Sequence, residues 1–190
     1  MRKGNLFVIS GPSGAGKGTL VSRIMQALDD AWLSVSATTR KPRVGEVDGV
    51  HYFFVDESEF KRMIDAGEFL EWACFSGNYY GTPRASVEEH MAAGQQVILE
   101  IEIQGARQVK AKMPEAHLIF IEPPSLEVLE QRLRGRGTDS EESILLRLET
   151  ARLELSGKME YDMRLVNDDL DVACAELLAY IESRACVTKE

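Results

Sequence analysis

The stretch from Asn5 to Thr19, NLFVISGPSGAGKGT, constrains the chain more than any other feature. Leu6 to Ile9 read as a short buried strand. Gly11-x-x-x-x-Gly16-Lys17 follows directly, and then Leu20, Val21, Ile24, Met25 and Leu28 recur at the spacing of a helix with one buried face. Strand, glycine-rich turn and helix in that order form the setting of a phosphate-binding loop. Glycine lets the backbone wrap an anion closely, its N–H groups point inward, and the helix N-terminus adds partial positive charge. Lys17 would reach the phosphates as a mobile point charge. The position after it, where a hydroxyl would meet Mg²⁺, is Gly18, and the hydroxyl comes one residue later at Thr19.

At 190 residues the chain is long enough to bury a full core in one domain. A net charge of −9 argues against a general nucleic-acid or anionic-membrane surface. Cys74, Cys174 and Cys186 lack metal-ligand spacing and suit a reducing compartment, each as a small core or surface residue. The apolar run after Met1-Arg2-Lys3 is too short for a signal-peptide core, and no later run reaches transmembrane length. A soluble, cytoplasmic protein is expected.

Strands alternate with helices at both ends of the chain, which indicates a parallel α/β sheet. Gln96 to Ile101 and Leu118 to Ile121 are nearly unbroken apolar runs, as strands buried on both faces require. Helical stretches follow them, over 105–113 and 125–133, and a longer helix toward Leu155 opens with an Asp139–Glu142 capping pair. Met163 to Val166 and the 172–181 stretch supply a last strand and helix. The middle, 33–94, is richer in turns and reads as an insertion. Its expected strands are Leu33–Ser36, His51–Val55 and Phe69–Phe75. A helix capped by Asp56 or Ser58 is expected to close at Gly67, and another, with Thr82-Pro83 at its start, to end at Gly94.

Some clusters outside the loop carry chemistry. Arg40 and Arg43 flank Pro42 in a polar loop, with Tyr52 and the Tyr79-Tyr80 turn nearby. Arginine forks and tyrosine hydroxyls can hold a phosphate monoester, although the loop taken alone equally reads as a solvated basic segment. Glu71 is a carboxylate among apolar residues. Glu100 and Glu102 interrupt the most apolar strand on one face, where they are either costly buried charges or groups at the strand's C-terminal end, which is where such sheets bind ligands. Arg132, Arg134, Arg136 and Arg147 surround Gly135 and Gly137, in the manner of a mobile lid or of a solvated basic loop.

Taken together, these stretches resemble guanylate kinase, a P-loop nucleoside monophosphate kinase. The resemblance rests on Gly11-Pro12-Ser13-Gly14-Ala15-Gly16-Lys17, the Ser36 to Glu46 segment and Gly77-Asn78-Tyr79-Tyr80-Gly81-Thr82. It continues through Gln104-Gly105, Pro123-Pro124-Ser125, Arg132 to Gly137 and Val166-Asn167-Asp168-Asp169, in the family's order. The resemblance implies a P-loop three-layer α/β fold with a parallel central sheet. Its core would be residues 1–32 and 95–190, with a mixed α+β insert (33–94) for the nucleoside monophosphate and an Arg-rich lid (134–147). It implies Mg²⁺-dependent transfer of the ATP γ-phosphoryl group to GMP, and to dGMP, with neither nucleic acid nor membrane as partner.

By the same resemblance, Gly11, Pro12, Ser13, Gly14, Ala15, Gly16, Lys17, Gly18 and Thr19 would bind ATP, with Asn167 near the adenine. Arg40, Arg43, Tyr52 and Tyr80 would hold the GMP phosphate, and Ser36, Glu71, Thr82 and Glu102 would face the guanine. Lys17, Arg132, Arg136 and Arg147 would neutralise the transferring phosphoryl group. The family commonly has Asp at Glu100 and Glu102 and Ser at Thr82. With Gly18 in the hydroxyl position, a Mg²⁺ held mainly by phosphates and water follows, with Thr19 and Glu100 as candidates acting through water. A non-catalytic scaffold would typically lack the intact loop. A GTPase would need Asn-Lys-x-Asp, and neither Asn5, Asn78 nor Asn167 precedes Lys. Adenylate kinase shares Gly-Lys-Gly-Thr, but not the base pocket that Ser36, Glu71 and the Gly-Asn-Tyr-Tyr-Gly turn suggest.

Overall fold

A computed structural model describes residues 2–135, 137, 140–156 and 161–185. Its strands are β1 (Asn5–Ser10), β2 (Ala31–Leu33), β3 (Ala37–Thr38), β4 (Phe53–Phe54), β5 (Phe69–Phe75), β6 (Asn78–Pro83), β7 (Gln96–Glu100), β8 (His117–Glu122) and β9 (Met163–Val166). Its helices are α1 (Lys17–Ala27), α2 (Glu57–Asp65), α3 (Arg84–Ala92), α4 (Ile103–Lys112), α5 (Leu126–Gly135), α6 (Glu141–Ser156) and α7 (Leu170–Ala185). The first sheet is parallel throughout, in the order β2-β7-β1-β8-β9.

Strand alternation explains the layering. Phe7 and Ile9 project to one face of β1 and bury against Leu20 and Ile24 of α1 and Leu177 and Ile181 of α7. Leu6 and Val8 project to the other face, onto Ala106 and Val109 of α4 and Val87 of α3. A strand covered on both sides must be apolar at every position, which is why β1, β7 and β8 stand out in the sequence. The molecule is a three-layer α/β P-loop fold. Cys174 is buried in the α7 side of this core, Cys74 is exposed, and Cys186 lies outside the described residues. Among the described residues, no helix is long and apolar enough to cross a membrane.

The second sheet, in the order β4-β3-β6-β5, is mixed: β3 pairs parallel with β4 and antiparallel with β6, and β5 antiparallel with β6. It has its own small core of Ala37, Phe60 and Phe69. Within 33–94, Leu33 still belongs to the parallel sheet, paired with Ile98, and α3 packs on that sheet through Val87.

Several expected boundaries move. The strand expected at Leu33–Ser36 is a junction. Ala31–Leu33 pairs with Gln96–Ile98, the Ser34 amide donates to the Ile98 carbonyl, and the chain then crosses to the other sheet as β3. The His51–Val55 strand shrinks to Phe53–Phe54, because β3 offers only Ala37 and Thr38 as partners. Thr82-Pro83 ends β6 instead of opening a helix: the Thr82 hydroxyl is bonded to Glu71, and α3 starts at Arg84 without a side-chain cap. β7 stops at Glu100, and Glu102 becomes the N-cap residue of α4, so the helix begins before Gly105. Asp139 lies outside the described residues; the Ser140 hydroxyl accepts from the Ser143 amide at the start of α6. Asp56 caps α2 as expected, accepting from the Glu59 amide.

Candidate active site

The turn between β1 and α1 wraps into a loop held from below by Asn167. That side chain is only 5 % exposed, and its amide donates to the Ala15 carbonyl at 2.8 Å. Gly16 has φ of 93°, and a Cβ on it would stand 2.3 Å from the Asn167 amide nitrogen, so only glycine fits between loop and support. Asn167 therefore lies behind the loop as its brace. The Lys17 ammonium donates to the carbonyls of Gly11 (2.5 Å) and Pro12 (3.1 Å), curled over the loop it serves.

The arginines divide. Arg147, on α6, donates to the Ser13 hydroxyl at 3.1 Å, which brings positive charge from that helix onto the loop. Arg132 donates to the backbone carbonyl of Asn167 at 2.8 Å and is not among the residues lining the cleft in front of the loop. Arg136 lies outside the described residues. That cleft, about 600 Å³, is lined by Gly11, Ser13, Lys17, Glu100, Arg147 and Glu154, among others.

A second pocket, about 290 Å³, lies toward the mixed sheet and is lined by Ser36, Tyr52, Glu71, Tyr80, Glu102 and Gly105, among others. The two cavities share Phe75, Glu100, Ile101 and Glu102 as a common wall. Glu71 is 6 % exposed. Burial pushes its carboxyl up, opposed by hydrogen bonding from Thr82 and the charge of Lys112. Thr82 has no exposed surface, and its hydroxyl donates to the Glu71 carboxylate at 2.6 Å. It thus orients the acceptor from behind, while its oxygen keeps lone pairs free to accept from another group.

Arg40 and Arg43 are not among the residues lining this pocket. The Arg40 guanidinium grips Glu46 with two bonds, at 2.7 and 2.9 Å, while the Arg43 amide donates to the same carboxylate at 2.7 Å. These bonds hold Glu46 at about 2, far below the usual carboxylate range. Arg40 also lies over the Tyr52 ring, 5.2 Å from its centroid, and Tyr52 meets Tyr80 edge-on. Glu46 is thus an acidic group seated on the fork expected to take a phosphate. Its bare sequence signal is a glutamate three residues past Arg43.

Glu100 stands at the cleft rim, where surrounding protein pushes its carboxyl up and Lys17 pulls it down. Glu154 of α6 shows the same balance, with Glu102 adding to the upward push. Neither Glu154 nor Phe75, which is 66 % exposed at the end of β5, has a local signal marking it as a cleft residue.

Comparison with known proteins agrees with this geometry. The family model described as guanylate kinase matches residues 3–184. A guanylate kinase of Thermobifida fusca is 56 % identical over 176 residues, covering 93 % of this chain and 90 % of the relative. One from Synechococcus sp. (strain CC9311) is 56 % identical over 170 residues, covering 90 % of each. The crystal structure of guanylate kinase from Anaplasma phagocytophilum superposes with a TM-score of 0.76 at 34 % identity, covering 99 % of this chain and 90 % of that one. A gluconokinase from Sinorhizobium meliloti, at 18 % identity and a TM-score of 0.52, shares the fold alone.

Proposed function

The chain belongs to the guanylate kinase family and phosphorylates GMP to GDP, and from that premise we propose how its residues divide the work. The observation that carries the proposal is the shared wall: a phosphate loop with its lysine and a pocket with a buried pure acceptor open on the same carboxylate-lined cleft. ATP binds with its phosphates on Gly11 to Thr19, and GMP binds in the pocket beside the mixed sheet. Residues 1–32 and 95–190 form the catalytic core, 33–94 the acceptor-binding insert, joined to the core sheet through Leu33 and α3, and 134–147 the lid, in a cytoplasmic enzyme.

Guanine presents N1–H and a 2-amino group as adjacent donors, which suit the carboxylates of Glu71 and Glu102, with Ser36 adding a hydroxyl. The GMP phosphate takes the place of Glu46 on the Arg40 fork, joined by Arg43, Tyr52 and Tyr80. A phosphate monoester is largely dianionic at neutral pH, so its oxygen attacks the γ-phosphorus without a general base. The bond from that phosphorus to the ADP oxygen breaks as the bond to GMP forms. Lys17, Arg147, Arg132 and Arg136 stabilise the charge on the transferring group, which is most of what such transfer asks of a protein. Closure of insert and lid keeps water from accepting the phosphoryl group. dGMP is accepted too, since the recognition described is of base and phosphate.

When bound with ATP, Mg²⁺ neutralises phosphate charge. Position 18 carries no side-chain oxygen, and a Cβ there would meet the Glu100 carboxylate oxygens at 3.6 and 3.7 Å. That supports an ion held by phosphates and water, with Glu100 and Thr19 reaching it through water. Thr19→Ala is accordingly expected to leave the Mg²⁺ requirement unchanged in a titration of turnover, and Gly18→Ser to be tolerated. A steep rise in the Mg²⁺ needed by Thr19→Ala would make that hydroxyl a direct ligand. The proposal as a whole is tested by a coupled assay offering GMP, dGMP, AMP and UMP: GMP and dGMP should be used and the others should fail. Equal use of AMP would sink the base assignment.

A further inference from the structure

Among the described residues β5 is an edge strand, with β6 on one side and no strand on the other. Its outward backbone groups are met by side chains of α4. The Gln108 amide serves both polar groups of Trp72, accepting from its N–H at 3.2 Å and donating to its carbonyl at 2.9 Å. Lys112 donates to the Phe69 carbonyl at 2.9 Å. Gln108 and Lys112 share a helix face with Gly105, which lies three residues before Gln108. At Gly105 nothing reaches toward β5. A Cβ there would stand 2.7 Å from one Glu71 carboxylate oxygen and 3.2 Å from the carboxyl carbon. The other oxygen is the one bonded to Thr82.

We propose that this face of α4 is a positioning platform for Glu71, in which Gln108 and Lys112 pin the strand on either side and Gly105 reserves the space for the carboxylate. Gly105 is then a specificity-determining residue that touches no reacting atom. The proposal rests on the reading of Glu71 as the guanine acceptor. Backbone packing does not account for the glycine: Gly105 lies inside α4, where alanine would favour the helix. The groups a methyl would press on are ends of flexible side chains, the Glu71 carboxylate first and the Ile101 Cδ1 at 3.2 Å second.

The test is Gly105→Ala, made alone and in a Glu71→Gln background, with kcat/KM for GMP and AMP, KM for ATP and the thermal midpoint measured for each. A displacement near 1 Å at a recognition group costs on the order of 10- to 100-fold. Gly105→Ala should lower kcat/KM for GMP by that factor through KM for GMP, leave KM for ATP unchanged and not lower the midpoint. In the Glu71→Gln background the same change should cost little more, because the group it acts through is already lost. No loss in the Glu71 background, or an equal loss in both, would overturn the proposal. If Glu71→Gln by itself leaves the GMP-to-AMP ratio unchanged, the base assignment has failed, and an equal Gly105→Ala loss in both backgrounds then removes the platform as well. Should Gly105→Ala fold poorly, Gln108→Leu replaces it. It frees Trp72 without crowding Glu71 and should weaken GMP use about 10-fold; unchanged GMP use would overturn the proposal.

Discussion

Replacing Lys17 with alanine is expected to lower turnover of GMP on the order of 1000-fold while leaving the fold and GMP binding intact. Losing one preorganised donor at a developing charge costs on the order of 100- to 1000-fold, and a mobile cation aimed at transferring phosphoryl oxygens belongs at the upper end. Lys17 opens α1 and contributes nothing to the apolar faces that hold that helix, which are Leu20, Val21 and Ile24. It donates to the Gly11 and Pro12 carbonyls, and Gly11 and Lys17 line an open cleft, so water can reach the place of the ammonium. Steady-state turnover, GMP binding by calorimetry and the thermal midpoint separate these outcomes. Near-normal turnover would contradict the role of the loop, and a collapse of the midpoint would mean that the ammonium holds the loop together.

The parts of this fold legible in the sequence are those where one local rule acts alone. β1, β7 and β8 announce themselves because a strand between two helical layers must be apolar at each position, and Gly16-Lys17 because the loop demands its backbone geometry. Legibility fails where two elements far apart in sequence decide the outcome. Val35 and Ser36 continue an alternating pattern, yet the chain there is leaving one sheet for another, and periodicity carries no record of which partner a strand meets. Thr82-Pro83 has the chemistry of a helix start, but Thr82 is still paired with Glu71 in the sheet, so the N-cap position falls to Pro83, which has no side-chain oxygen to cap with. Gly105 reads as the first residue of a helical stretch until the Glu71 carboxylate is found beside it. Glu46 belongs to a solvated loop with no periodicity, so its hold on Arg40 emerges only in three dimensions. Asn167 was detectable as a polar residue at a strand end, but its use as a brace beneath Ala15 was not.

Glu71→Gln is expected to cost about 2–4 kcal/mol in GMP use, on the order of 30- to 1000-fold in kcat/KM, with AMP affected much less. The carboxylate offers only acceptors, and the amide puts a donor where guanine presents donors or forces a rotation that spoils the bond from Thr82. AMP never had the matching donor pair. Protonation gives an independent reading of the same group. Burial raises the Glu71 carboxyl in the free protein, and recognition needs it ionised, so kcat/KM for GMP should fall as pH drops through that raised value. The GMP phosphate titrates as well, so the ratio of wild type to variant, in which that contribution cancels, isolates Glu71. Stability carries the opposite sign. A carboxyl raised on folding binds its proton more tightly in the native state, so wild type gains stability as pH falls from the raised value toward about 4.3, the ordinary glutamate value. The glutamine variant has no such gain and should be at least as stable as wild type at neutral pH, while losing GMP selectivity, as expected where a buried charge is kept for function. Thermal midpoints and kcat/KM for both nucleotides across the acid range decide it. An unchanged GMP-to-AMP ratio, with the acid limb still present in the variant, would take Glu71 out of the base pocket and leave Ser36 and Glu102 to read guanine.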